Sequence, residues 1–215
     1  MIKKLLTVGD SFTYGEELSD TSKSWPCLVA KSLNCALTNL GKPGTGNTRI
    51  VRETVAAVVG NDPPDLIILG WSSPGRIEYA DANGVYDTWP GYTGKWTDNQ
   101  QRNNVTSYVN RYHNDEYLYQ QYLTNVLLLQ SFLKLNGVKY LMLPTKVNDY
   151  YRSTFKYKFM KIKNQIDQQH YVDADSGMME WACDLPVGSG GHFLEDGHAI
   201  VATKVLEKIK QMEWA

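Results

Sequence analysis

The sequence predicts an α/β fold with a mainly parallel sheet, and three observations carry that prediction. Short apolar runs at residues 5–8, 65–70 and 138–144 each stop at a glycine or proline, and stretches with helical spacing separate them. The run Leu66-Ile67-Ile68-Leu69 is apolar throughout, as a strand covered on both faces is. At 215 residues the chain suits one domain, 1–215, built around a single core.

Taken in order, residues 5–8 form the first strand, ending in Gly9-Asp10-Ser11 with Gly15 four residues after the serine. A polar stretch leads to a helix at 25–33 with Pro26 in its first turn. Residues 36–40 make a short second strand, followed by the glycine-rich loop 41–47. Asn47 caps a helix to about Val59, with Ile50, Val51, Val55, Ala56 and Val59 at helical spacing. Asp62-Pro63-Pro64 precedes the third strand at 65–70.

An aromatic-rich insertion then covers about 72–114, with Tyr79, Tyr86, Trp89, Tyr92, Trp96, Tyr108 and Tyr112 and no strong period. It reads as a long excursion from the core that has room for short strands, of the kind that serves as a lid or binding loop. Arg76 and Glu78 at its base either pair with each other or reach the site. A long helix at 117–135 ends at Gly137, and 138–144 is the fourth strand. Residues 170–173 suggest an edge strand, 188–191 a flexible loop, and 197–212 a closing helix.

Composition excludes several classes. Lys+Arg 22 against Asp+Glu 23 leaves a net charge of −1, with no basic footprint for nucleic acid and no polybasic membrane signal. Cys27, Cys35 and Cys183 lack metal-ligand spacing and leave an odd thiol under any pairing, which favours a reduced compartment. No metal or cofactor is expected. The apolar stretch behind Lys3 and Lys4 is too short for a signal peptide, and no window approaches a membrane span. The expectation is a cytoplasmic protein; association with a virion, or release by lysis, would leave no mark in the sequence.

Right-handed crossovers put the loops after the first three strands along one sheet edge, where Ser11, Gly44 and residues 70–73 meet. A hydroxyl nucleophile needs a base, a group that orients the base, and donors for the developing oxyanion. Ser11 supplies the nucleophile. Of His113, His170, His192 and His198, His192 follows a glycine loop and precedes the last helix, where it faces the strand ends.

These residues fall into a known pattern. Gly9-Asp10-Ser11-Phe12 with Gly15 resembles the first block of the SGNH (GDSL-type) hydrolases. Asn39-Leu40-Gly41-Lys42-Pro43-Gly44 resembles their second block, whose glycine donates an oxyanion-hole N–H, and the segment from Gly191 to Ala202 resembles their last. The resemblance implies a three-layer α/β/α sandwich with a flavodoxin-like central sheet. It implies hydrolysis of an ester, with His192 as general base and His198 structural. The long insertion and altered third block are similar to divergent bacteriophage members of the family.

Three departures matter. Gly70-Trp71-Ser72-Ser73 stands where the family has Gly-x-Asn-Asp, so the third oxyanion donor is missing, a loss of about 3 kcal/mol unless replaced. Ser72, at the asparagine's position, and Asn47, from the neighbouring loop, are the alternatives. The family's acid lies three residues before the histidine, where this chain has Ser189. Asp184 is the nearest upstream carboxylate, and the intervening glycines let it fold back; otherwise the site is a Ser-His dyad. Phe193 replaces the usual proline.

The polar, Asn- and Tyr-rich insertion favours a carbohydrate O-acetyl or other small acyl ester over a long-chain lipid. The alternative is a catalytically degenerate module that binds a glycan or a protein partner. A flavodoxin-like nucleotide or flavin binder ranks last, because the first loop lacks a phosphate cradle. The sequence leaves the oligomeric state open.

Overall fold

The computed structural model describes residues 2–82, 84–89, 99–146, 149–155, 157–172 and 176–214. Four strands, β1 (Lys4–Val8), β2 (Ala36–Asn39), β3 (Leu66–Trp71) and β6 (Lys139–Pro144), form one parallel sheet in the order β2-β1-β3-β6. The chain moves outward on one side of β1 to β2 and on the other to β3 and β6. The order therefore reverses beside β1, the place where open α/β sheets form a crevice at the carboxyl ends of their strands. Register pairs Leu5 with both Leu37 and Leu66, and Ile67 with Tyr140.

Alternation along the strands divides the core into two layers. Leu5, Leu66, Ile68, Leu141 and Leu143 face α2 (Trp25–Leu33), α8 (Met178–Trp181) and α9 (Glu195–Gln211). Leu6, Val8, Ile67, Leu69 and Met142 face α3 (Asn47–Val59) and α5 (Asp115–Leu135). The fold is thus the three-layer α/β/α arrangement that the resemblance implies, built on the parallel sheet that the alternation of strands and helices predicts. No helix among the described residues is long and apolar enough to cross a membrane.

The insertion is more ordered than its lack of period suggests. It contains an antiparallel hairpin, β4 (Ile77–Asp81) and β5 (Gly84–Thr88), and the helix α4 (Asn99–Tyr112). Tyr79 packs against Tyr86 across the hairpin and against Tyr108 of α4, at ring-centroid distances of 6.2 and 6.0 Å. These rings form a small core of the insertion's own. Tyr92 and Trp96 lie outside the described residues. The expected edge strand at 170–173 is reduced to one parallel bridge between Met142 and Tyr171, and Asp173 lies outside the described residues. Two short helices, α6 (Asp149–Thr154) and α7 (Met160–Lys163), fill the polar stretch before it.

Candidate active site

β1 runs directly into α1 (Ser11–Tyr14), which Asp10 caps by accepting the Phe12 N–H at 3.1 Å. A side chain at Gly9 would place its Cβ 2.1 Å from Thr13 Oγ1 and 2.9 Å from the Gly70 carbonyl, so only glycine lets the ends of β1 and β3 approach. Asp10 is buried, with Arg76 Nη1 3.4 Å from Oδ2 and the Thr145 hydroxyl donating to Oδ1 at 3.3 Å. Burial raises the Asp10 pKa above the ordinary carboxylate value, against the opposing pull of Arg76, the Phe12 N–H and two hydroxyls. Asp10 holds the nucleophile turn in place. Ser11 itself is 2% exposed.

His192 follows the turn at 188–191, closed by Gly188 N–H to the His192 carbonyl at 2.8 Å. Its ring packs on Phe12, the neighbour of Ser11, at 4.7 Å between centroids. Its Nδ1 is 2.8 Å from Glu17 Oε2. The Glu17 carboxylate also accepts the N–H of Gly190 at 2.7 Å, the N–H of His192 at 3.1 Å and the Ser189 hydroxyl at 3.0 Å. These bonds, led by the Gly190 N–H and then the imidazole, hold the Glu17 pKa down at about 2. Glu17 has φ +68°, a left-handed conformation that costs a non-glycine residue about 1–2 kcal/mol. That turn follows Gly15, also left-handed at φ +90°, and curls the chain after α1 back under His192.

The carboxylate that reaches His192 Nδ1 is therefore Glu17, from the other end of the chain. Asp184 is exposed and makes no ion pair or hydrogen bond among the described residues. The left-handed residues Gly15 and Glu17 turn the chain after α1 so that the Glu17 carboxylate meets four donors from Ser189, Gly190 and His192.

His192 Nε2, the nitrogen expected to reach Ser11, lies 3.3 Å from Glu16 Oε2. Among the described residues no hydrogen bond joins it to Ser11 Oγ. Glu16 is 39% exposed in its side chain, so solvent is available to it once it leaves the imidazole.

The N–H groups of Ser11 and Gly44 have no acceptor among the described residues. Gly44 has φ +77°, and the six-membered ring of Trp89 lies over it, 3.6 Å from where a Cβ would stand. The Arg76 guanidinium sits 4.9 Å over the same Trp89 ring. Asn47 is engaged elsewhere: Nδ2 donates to the carbonyls of Ser72 at 3.2 Å and Ser73 at 3.1 Å, while Oδ1 accepts the Ser72 N–H at 2.9 Å. It fixes the loop after β3 and has no amide hydrogen left over. Ser72 Oγ is buried without a hydrogen-bond partner, near enough to Asp10 to favour the ionised carboxylate but not aligned for a bond.

The remaining candidates have structural partners. His198 Nδ1 accepts the Trp25 N–H at 3.1 Å, and burial, then the charge of His192, lowers its pKa to about 4. His170 bonds Asp167 at 3.0 Å and stacks on Tyr140. Arg76 and Glu78 do not pair with each other; Glu78 takes both terminal nitrogens of Arg52, at 2.9 and 3.0 Å.

The fold is shared at low identity with solved structures, esterases among them. TesA is 16% identical, over 97% of this chain and 99% of that one, with a TM-score of 0.62. The psychrotrophic esterase EstA from Pseudoalteromonas sp., in a structure inhibited by monoethylphosphonate, is 14% identical over 98% of each chain, with a TM-score of 0.57. A carbohydrate esterase family 2 enzyme with a carbohydrate binding domain, from Corynascus thermopiles (Myceliophthora fergusii), is 15% identical over 99% of this chain and 67% of that one, with a TM-score of 0.58. At such identities the likeness is one of fold. No curated protein matches the chain in sequence. A model described as a family of unknown function, DUF6071, matches residues 13–210, and the chain belongs to that family.

Proposed function

We propose that this chain is a serine ester hydrolase of SGNH type, with Ser11 as nucleophile, His192 as general base and Glu17 orienting the base. The observation that carries this reading is the 2.8 Å pairing of Glu17 with His192 Nδ1, on an imidazole packed beside the nucleophile turn. A carboxylate on Nδ1 fixes the tautomer whose Nε2 lone pair can accept a proton, and it stabilises the imidazolium that follows. Ser11 Oγ bonds to the acyl carbon while its proton passes to Nε2, once Glu16 has swung aside. The N–H groups of Ser11 and Gly44 receive the oxyanion. Collapse breaks the ester C–O bond, and Nε2 returns the proton to the departing alcohol. Water then repeats the cycle on the acyl-enzyme, releasing the acid and freeing Ser11.

The near-complete burial of Ser11 and the Trp89 ring over Gly44 support a small acyl group such as acetyl. The esterases that share the fold support the same reaction class.

A second reading, a binding module with lost turnover, draws on the Glu16 contact at Nε2. Hydrolysis of p-nitrophenyl acetate separates the two. The hydrolase reading expects turnover that falls by at least about 10³-fold in Ser11→Ala and in His192→Ala. Absence of turnover, or turnover indifferent to both changes, favours the binding module.

A further inference from the structure

Beside the nucleophile turn lies a cleft of about 210 Å³ between the start of α3, the strand β4 and one face of α5. Tyr117, Gln121 and Asn125 are spaced four residues apart on α5, which sets their side chains in a row along that face. The amides of Gln121 and Asn125 make no hydrogen bond among the described residues. The Tyr117 ring is 58% exposed. On the opposite wall the charges are already neutralised: Arg76 meets Asp10 and Glu78 meets Arg52. His113 also lines the cleft, its Nε2 2.9 Å from Asp115 Oδ1 and its Nδ1 buried without a partner among the described residues, and Ile77, Leu118 and Tyr122 add apolar surface.

The chemistry of these walls selects a ligand class. Two primary amides present four N–H donors and two carbonyl acceptors, in a row that adjacent hydroxyls can satisfy. An exposed phenol ring gives an apolar face with a polar tip. No unpaired charge is available to hold an anion or a cation, and the polar row is ill suited to an acyl chain. A neutral, polyhydroxylated molecule fits these constraints. The cleft is tied to the reacting groups on two sides, through Arg76 to Asp10 beside Ser11 and through Asn47 to the Ser72 loop.

We infer that this cleft is the subsite for the sugar portion of the ester, with Tyr117, Gln121 and Asn125 as its binding row. The inference rests on the serine-hydrolase reading above and names the alcohol side of its substrate.

The test uses the whole protein with two esters, p-nitrophenyl acetate and an O-acetylated xylotetraose, and adds calorimetric binding of unmodified xylotetraose. For the double variant Gln121→Ala/Asn125→Ala, kcat/KM on the acetylated sugar is expected to fall by roughly 30-fold through KM, as two lost neutral hydrogen bonds imply. Activity on p-nitrophenyl acetate is expected to stay within twofold, which also reports that the variant is folded. Tyr117→Ala is expected to act in the same way.

Equal loss on both esters, or no loss on the sugar, overturns the subsite. If the wild type hydrolyses p-nitrophenyl acetate but neither cleaves nor binds the sugar, the subsite fails while the hydrolase reading stands. If no ester is cleaved but xylotetraose binds, and binding disappears in the double variant, the hydrolase reading fails and the cleft stands as a sugar site.

Discussion

Glu17→Gln changes one atom of the carboxylate and removes its charge. Each oxygen of Glu17 faces two donors: Oε1 takes the Ser189 hydroxyl and the Gly190 N–H, and Oε2 takes the His192 N–H and Nδ1. An amide must turn its own N–H₂ toward one of these pairs. Facing Gly190, it leaves that N–H without an acceptor but keeps a neutral bond to His192. The lost charge assistance is then about 1.5 kcal/mol, or roughly tenfold in rate. Facing His192, it forces Nδ1 to accept and puts the hydrogen on Nε2, the tautomer that cannot take a proton from Ser11; that failure costs about 10⁴-fold. The variant is therefore expected to lose between about 10- and 10⁴-fold in kcat on p-nitrophenyl acetate, with KM little changed. The assay is steady-state kinetics at pH 7 beside a urea melt of the same sample. A fold intact by melting with kcat within twofold of wild type refutes the orienting role.

Two other outcomes follow from the same region. Glu16→Ala is expected to raise kcat/KM several-fold, because the carboxylate 3.3 Å away holds Nε2 only through an Nε2–H, the form that cannot take the Ser11 proton, and the pairing is worth up to about 1 kcal/mol for an exposed pair; a loss of tenfold or more in the same kinetics would make Glu16 part of the base. His198, with its pKa lowered from 6.5 to about 4, stays neutral in the fold while the unfolded chain takes a proton. Its contribution to stability is therefore whole above pH 6.5 and declines as pH falls toward 4, by about 2 kcal/mol at pH 4.5. Urea unfolding at pH 7 and 4.5 checks this, and His198→Gln is expected to show a smaller difference between the two.

The frame of the molecule was legible because its physics is local. Leu66-Ile67-Ile68-Leu69 has no polar position to expose, and a glycine or proline stands at or next to the last residue of three of the four strands of the sheet. Helix α4 was not legible, since its buried apolar positions Val105 and Val109 stand among asparagines, glutamines and two arginines that give no stripe. At the site, Ser11, Gly44 and His192 sit where strand ends and glycine turns announce them. Glu17 does not, because its partner lies 175 residues away and no periodicity links the two. Two signals were present. Glu16 and Glu17 directly follow Gly15, and the Ser189-Gly190-Gly191 turn is rich in donors with no carboxylate of its own. Asn47 misleads for the opposite reason: an amide beside an oxyanion site looks available until the Ser72 and Ser73 carbonyls are seen to occupy it.

The central claim is that His192 and Glu17 make Ser11 a nucleophile, and a serine-directed phosphonate tests it most directly. Incubation followed by mass mapping is expected to find one adduct, on Ser11, formed much more slowly in Glu17→Gln and absent in Ser11→Ala and His192→Ala. An adduct on another residue, or none on the folded wild-type protein, would contradict the account.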